Sequence, residues 1–284
     1  MTNPPLPFTQ LGAGVGSGTP APAGWLPINV RPLLVFVGVT GAGKSTTLAA
    51  LDEGGFACHR LPDRRDLTDR LIIPTVQAQQ GETIAPVTDR TLRFAYTRSY
   101  RESHAGGMAH ALTQLRIDPL ALPDLLVFDG LRGEDEVMQA ARLLPAARFV
   151  VLQAPDVVRV ARLMGRGDPF DQIGGAASAG GGNSGANPRI DHVQTFADVG
   201  APEAATLFTH LEEQALLELV RTGSVTAAAL RAALTIVGEE RRNYDPAAAR
   251  AALLRMAPAH TLVVDTVHHL PEQVATQIMD FCSA

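Results

Sequence analysis

Gly38-Val39-Thr40-Gly41-Ala42-Gly43-Lys44-Ser45 decides the reading of this chain. The octapeptide fits the pattern G-x-x-x-x-G-K-S/T, in which glycines let backbone N–H groups converge on phosphate oxygens and a lysine reaches the outer phosphates. Its flanks are those the motif demands. Before it, Leu33-Leu34-Val35-Phe36-Val37 is a continuous apolar run, as expected of a strand buried on both faces of a parallel sheet. After it, Thr46-Thr47-Leu48-Ala49-Ala50-Leu51 opens a helix, whose N-terminus adds partial positive charge where phosphate would lie. Gly38, Thr40, Gly41, Ala42, Gly43, Lys44, Ser45 and Thr46 are the expected nucleotide contacts, and Ser45 the expected Mg²⁺ ligand.

Composition supports the motif independently. Of 24 Lys and Arg residues, Lys44 is the one lysine. Everywhere else the chain writes a cationic side chain as Arg. A slim ammonium is kept only where a wide planar guanidinium would not fit against a phosphate.

The chain has 284 residues, 46% of them hydrophobic, ample for one large domain with insertions. A net charge of −5 provides no global field toward nucleic acid or an anionic membrane. No apolar run approaches the ~20 residues of a membrane span, and no basic region followed by an apolar core opens the chain. Cys58 and Cys282 lie far apart and have no metal-type spacing, so a reducing cytoplasm is expected. The eight histidines form no zinc motif.

Residues 1–30 are rich in Pro, Gly and Thr and are expected to be a disordered tail, with Trp25 placed to pin its end. Further strands are expected at 56–61, 124–129, 147–152 and 261–265, with helices between them and a closing helix from Pro271 to Phe281. That alternation predicts an α/β fold with a mostly parallel sheet over 31–284. Two insertions stand apart. Residues 62–118 are Arg-rich. Residues 168–257 begin with a low-complexity loop, Gly174 to Asn187, expected to be mobile, and continue as helices near 202–221, 224–240 and 246–257.

Four further signals carry chemistry. Asp129 ends an apolar strand, where a carboxylate can hold a Mg²⁺-bound water near the phosphates. Arg132 lies just beyond, at the strand's carboxyl end, where open α/β sheets bind ligands. Arg159, Arg162 and Arg166 are spaced to share one helix face, and three like charges there need an anion, either a bound phosphate chain or neighbouring aspartates. Asp63, after Leu61-Pro62, is either a helix-cap residue or an acid that accepts a proton from an acceptor hydroxyl. From 88 to 115, Arg90, Arg93, Arg98 and Arg101 interleave with Phe94, Tyr96 and Tyr100. This pattern fits an aromatic or phosphorylated acceptor, single-stranded nucleic acid, or simply a solvated Arg face.

The loop at 38–45, with the block Leu125 to Asp171 (Asp129-Gly130, Arg132-Gly133, Glu136-Val137, Ala154-Pro155, Arg159, Arg162-Leu163, Arg166-Gly167-Asp168), resembles the nucleoside-monophosphate-kinase-like branch of P-loop proteins, and within it a dephospho-CoA-kinase-like group. The resemblance implies a three-layer αβα fold with a five-stranded parallel sheet in the order 2-3-1-4-5. It also implies an acceptor region at 62–118, a lid after the fourth strand with Arg162 and Arg166 as lid arginines, Asp129 as the metal-linked acid, and ATP and Mg²⁺ as cofactors. The expected activity is phosphoryl transfer to a small-molecule acceptor of unknown identity. Two alternatives stay open. The segment from Gly43 to Pro62 also resembles the start of the nucleotide-binding RNase-adapter proteins, which would imply a regulatory ATP or GTP binder with slow hydrolysis. The other is a polynucleotide 5′-kinase, against which the net negative charge weighs. The helices at 202–257 are read as a lid, a homodimer interface or a partner platform.

Overall fold

The computed structural model describes residues 6–165 and 192–283, so Gly174–Asn187 and Arg166 lie outside the described residues. The chain forms two compact units. One comprises Met1–Gly38, Lys44–Leu152 and Asp245–Ala284, the other Val39–Gly43 and Gln153–Tyr244.

The first unit contains two sheets. Chain order begins with three short strands, β1 (Thr9–Gly12), β2 (Val15–Ser17) and β3 (Leu26–Pro27), then β4 (Leu33–Val37) and helix α1 (Lys44–Glu53). Next come β5 (Cys58–Arg60), α2 (Arg64–Leu67), a π-helical turn at Thr68–Ile72, α3 (Ile73–Gln79), α4 (Arg90–Ser103), α5 (Met108–Thr113) and β6 (Leu115–Ile117). They are followed by β7 (Leu125–Leu131), α6 (Glu134–Leu143) and β8 (Ala147–Gln153). After the second unit's helices α7 (Asp156–Met164), α8 (His210–Arg221) and α9 (Ala227–Asn243), the chain ends with α10 (Pro246–Met256), β9 (Thr261–Asp265) and α11 (Pro271–Ser283).

The main sheet has the order β5-β7-β4-β8-β9, which is the expected 2-3-1-4-5. β4 is central, pairs in parallel with β7 and β8, and is buried at every residue. A strand that is apolar on both sides needs cover on both sides. α1 packs with α11, and α6 with α5 and α10, giving the three-layer αβα arrangement.

The second sheet corrects an expectation. The N-terminal stretch is not a disordered tail: β1, β2 and β3 join β6 in an antiparallel sheet of order β1-β2-β6-β3. β1 and β2 turn at Ala13-Gly14, where Gly14 has φ +70°, the left-handed region glycine enters without a Cβ clash. Leu11, Val15 and Ile28 are buried in the same core as Leu115 and Ile117 of β6. Phe8 and Trp25 meet edge to face at 5.3 Å. The reason the local sequence hides this is that the strand on which β2 and β3 both pair lies about a hundred residues downstream.

A second boundary also moves. α10 belongs to the first unit, where it packs on α6 and contacts β9, and is not part of the helical insertion. The second unit has a core of its own, in which Val160 and Leu163 of α7 join Phe196, Leu216, Leu217, Leu230, Leu234 and Val237.

Candidate functional site

β4 delivers Gly38, whose N–H donates to Leu131 O at 3.2 Å and ties the loop's start to the end of β7. Lys44 opens α1, and its Nζ donates to Gly38 O at 2.7 Å, so the ammonium curls back over the first residue of the motif. Ser45 and Thr46 are exposed on the first turn of α1, and no acid lies in that turn to compete for an anion.

β7 does not stop at Asp129 but runs to Leu131, with a bulge. Val35 pairs Phe128 and Val37 pairs Leu131, so three steps on β7 oppose two on β4. The extra residue falls at Asp129-Gly130, and bulges of this kind re-aim a side chain. Asp129 is half-buried, and its carboxylate makes no hydrogen bond or ion pair with a described residue.

The turn after β7 is held by a carboxylate that belongs to the block carrying the resemblance but to which the sequence reading gave no role. Glu136 of α6 is 5% exposed and takes Arg64 in a bidentate pair, at 2.6 and 2.9 Å. It also accepts the Arg132 N–H at 3.0 Å, while Arg64 reaches Gly130 O at 2.6 Å. Arg132 therefore sits on a braced turn. Asp63 caps α2, accepting from Asp66 N at 2.8 Å, which is the ordinary helix-cap alternative.

In the second unit, residues 39–43 are gripped from α7 and α9. Glu240 accepts from Thr40 N at 3.0 Å to both carboxylate oxygens and from Thr40 Oγ1 at 2.6 Å. Arg159, 1% exposed, donates from Nε to Thr40 O at 2.8 Å and pairs with Glu240 and, at 2.5 Å, with Asp156. Arg241 holds the other oxygen of Asp156 at 2.6 Å. Arg162 donates to Gly41 O at 3.1 Å. Gly41 has φ +81°, and a Cβ there would stand 3.1 Å from the backbone of Arg159, so only glycine allows this approach.

Two expected nucleotide contacts are thereby reassigned. Thr40 gives its N–H and hydroxyl to Glu240, and the guanidinium of Arg159 is engaged by Thr40, Asp156 and Glu240. Both residues position the loop. Of the shared-face arginines, Arg159 is compensated by Asp156 and Glu240.

Glu240 carries a signal that could have found it. Leu230, Ala233, Leu234 and Val237 form the buried stripe of α9, and Glu240 continues it at the next turn. A carboxylate on an apolar stripe needs a partner. The Arg/aromatic stretch resolves differently. Tyr96 and Tyr100 of α4 are 8% and 1% exposed, while Arg98 and Arg101 face solvent. The tyrosines are core, so they offer no stacking platform to bases.

No family model matches the chain, and no curated protein matches it. Among solved structures it is similar to TT1252 from Thermus thermophilus, at 14% identity over 89% of this chain and 97% of that one, with a TM-score of 0.38. It is also similar to a sulfotransferase from Alicyclobacillus acidocaldarius, at 13% identity over 90% and 82%, with a TM-score of 0.35. The site is therefore read from its own residues. Among the described residues no helix is long and apolar enough to cross a membrane, and no cluster of three or more His, Cys, Asp or Glu residues could hold a metal ion.

Proposed function

We propose that this chain is an ATP-binding, Mg²⁺-dependent phosphotransferase acting on a nucleotide or another small phosphorylated metabolite. The observation that supports it is the loop at 38–45, which leaves a fully buried central strand and enters α1 at the chain's one lysine. In this reading the N–H groups from Gly41 to Thr46 and the Lys44 ammonium hold the outer phosphates, while Thr40 is held by Glu240. The ammonium exchanges its bond to Gly38 O for one to phosphate.

Ser45, exposed at the helix start, and Asp129, half-buried at the bulge with no side-chain partner among the described residues, suit a hard oxygen-preferring cation. Magnesium, when bound, supplies neutralisation of charge on the transferring group. The acceptor's oxygen displaces ADP from the γ-phosphorus, and its proton would pass to Asp63, whose cap bond uses one carboxylate oxygen, while Asp129 stays with the cation. Arg162 and Arg166 complete the proposal as lid arginines.

The test is ADP release by purified protein with Mg·ATP against nucleoside monophosphates, nucleosides and dephospho-CoA. Acceptor-dependent ADP is the expected result. Lys44→Arg, which keeps the charge, is expected to lower turnover by about a hundredfold or more. Full activity in that variant would remove the lysine from the phosphate site and sink the proposal.

A second reading has one observation in its favour. Glu240 lies on α9 in the helical unit and holds the loop through Thr40, a route by which a partner on those helices would bias the loop. A regulatory nucleotide binder would show slow ADP release that no acceptor accelerates.

A further inference from the structure

A cleft of about 220 Å³ in the first unit is lined by residues of the N-terminal strands, α3, α4, α5 and β6. None of its lining residues belongs to the loop at 38–45 or to the turn after β7. Its polar lining includes Arg70, Tyr100, His104, His110, Gln114 and Arg116.

The wall is unusual in its charge. The chain as a whole carries 29 acidic residues against 24 Lys and Arg, yet no Asp or Glu lines this cleft while two Arg and two His do. A concave site of one sign concentrates the opposite charge. The Arg116 side chain makes no hydrogen bond or ion pair with a described residue. Arg70 donates to the carbonyl oxygens of Leu11 and, at 2.5 Å, Gln10, which fixes the N-terminal strand alongside the cleft.

The ring cluster is built, not incidental. His104 stacks on Tyr100 and on His110, with 4.4 Å between centroids in each case. His104 Nδ1 lies 3.2 Å from Tyr100 O, and His110 Nδ1 lies 3.0 Å from Tyr100 Oη. Those bonds leave His104 its Nε2, whereas His110 Nε2 accepts from Gln114 Nε2 at 3.4 Å. Burial, and then the neighbouring His104, push the His110 imidazole below its ordinary value. Two stacked imidazoles resist charging together unless an anion compensates them. The size fits a small molecule: an apolar cavity of about 150 Å³ accommodates benzene, so this one takes a compact metabolite and not a nucleoside triphosphate.

We propose that this cleft is a binding site, separate from the loop at 38–45, for a small oxyanion-bearing metabolite, a carboxylate or a phosphate monoester. The Arg116 guanidinium and the Nε2 edge of His104 would bind the oxyanion, with His110 stacked behind that ring and Gln114 facing the neutral part.

The test is proton NMR of the imidazole rings in the full chain, assigned through His104→Gln and His110→Gln. Inorganic phosphate and succinate form separate arms that distinguish the two oxyanions, with glycerol as the neutral control. At least one anion is expected to shift both rings saturably at about 1 mM or below, the range in which metabolite sites fill. The same anion is expected to raise the midpoint of the His110 titration, which burial and His104 hold low. Arg116→Gln is expected to weaken that binding about tenfold, and Lys44→Arg to leave it unchanged. Gln114→Leu is a second variant should Arg116→Gln fail to fold, and it too is expected to weaken binding. The proposal is overturned if neither anion shifts the rings saturably, if glycerol shifts them equally, or if both cleft variants bind like the parent chain.

Discussion

Glu240 accepts hydrogen bonds from the backbone N–H and the hydroxyl of Thr40, a residue 200 positions earlier. The same carboxylate pairs with the buried guanidinium of Arg159, which itself donates to Thr40 O. A loop residue is thus held on both its donor and acceptor sides by one ion pair. Removing one partner of such a pair leaves a desolvated charge, which costs more than the pair itself contributes.

Glu240→Gln is therefore expected to destabilise the chain by about 3 kcal/mol, the lower end for a broken buried pair, because Asp156 still compensates Arg159. Urea unfolding measures it. Isothermal titration with Mg·ATP is expected to show weaker binding in the same variant, as the loop loses its hold on Thr40. Unchanged stability would mean that the carboxylate is not buried against Arg159.

Gly41→Ala combines two penalties, a left-handed φ of +81° and a Cβ only 3.1 Å from the Arg159 backbone. The first alone costs about 1–2 kcal/mol. A lowered melting temperature together with lost nucleotide binding is expected. Gly→Ala at Gly24, where φ is +84° but nothing stands within 4 Å of the added Cβ, separates the two causes, because it retains only the backbone penalty.

Leu11→Ala probes the N-terminal sheet. Leu11 is 4% exposed and lies in the main core of the first unit. Truncating a buried leucine costs about 2–5 kcal/mol, whereas the same change in a disordered tail would cost nothing. The shift in urea midpoint decides between them.

His110 makes stability depend on pH. Its folded pKa lies below the ordinary 6.5 because of burial and then His104. The unfolded chain therefore binds the proton more readily, and this contribution falls as pH drops through 6.5 toward the folded value. Unfolding midpoints at pH 7.5 and 5.5 are expected to differ more in the parent chain than in His110→Gln. An equal pH dependence in the two would show that His110 is not shifted by its site.

The main-sheet strands and the place of the loop were legible in the amino-acid sequence because both are written locally, whereas the strand order came only with the resemblance. Leu33–Val37 is apolar at every position, the glycines and Lys44 follow at once, and a helix former comes next. Asp129 was visible for the same reason, although the bulge that aims it was not, since a bulge is a mismatch between two strands. Glu136 and Glu240 show only as carboxylates on buried helix stripes, and their partners are far along the chain.

What the sequence by itself determined is a glycine-rich loop between a parallel-sheet strand and a helix, with the chain's one lysine at its end. Only tertiary structure decided what holds that loop, that Arg159 and Thr40 support it, and that the Pro- and Gly-rich start folds as strands. The physical reason is common to all three. A burial pattern and a glycine turn depend on neighbours in sequence, but an ion pair and a sheet edge are completed by groups that only folding brings within hydrogen-bond reach.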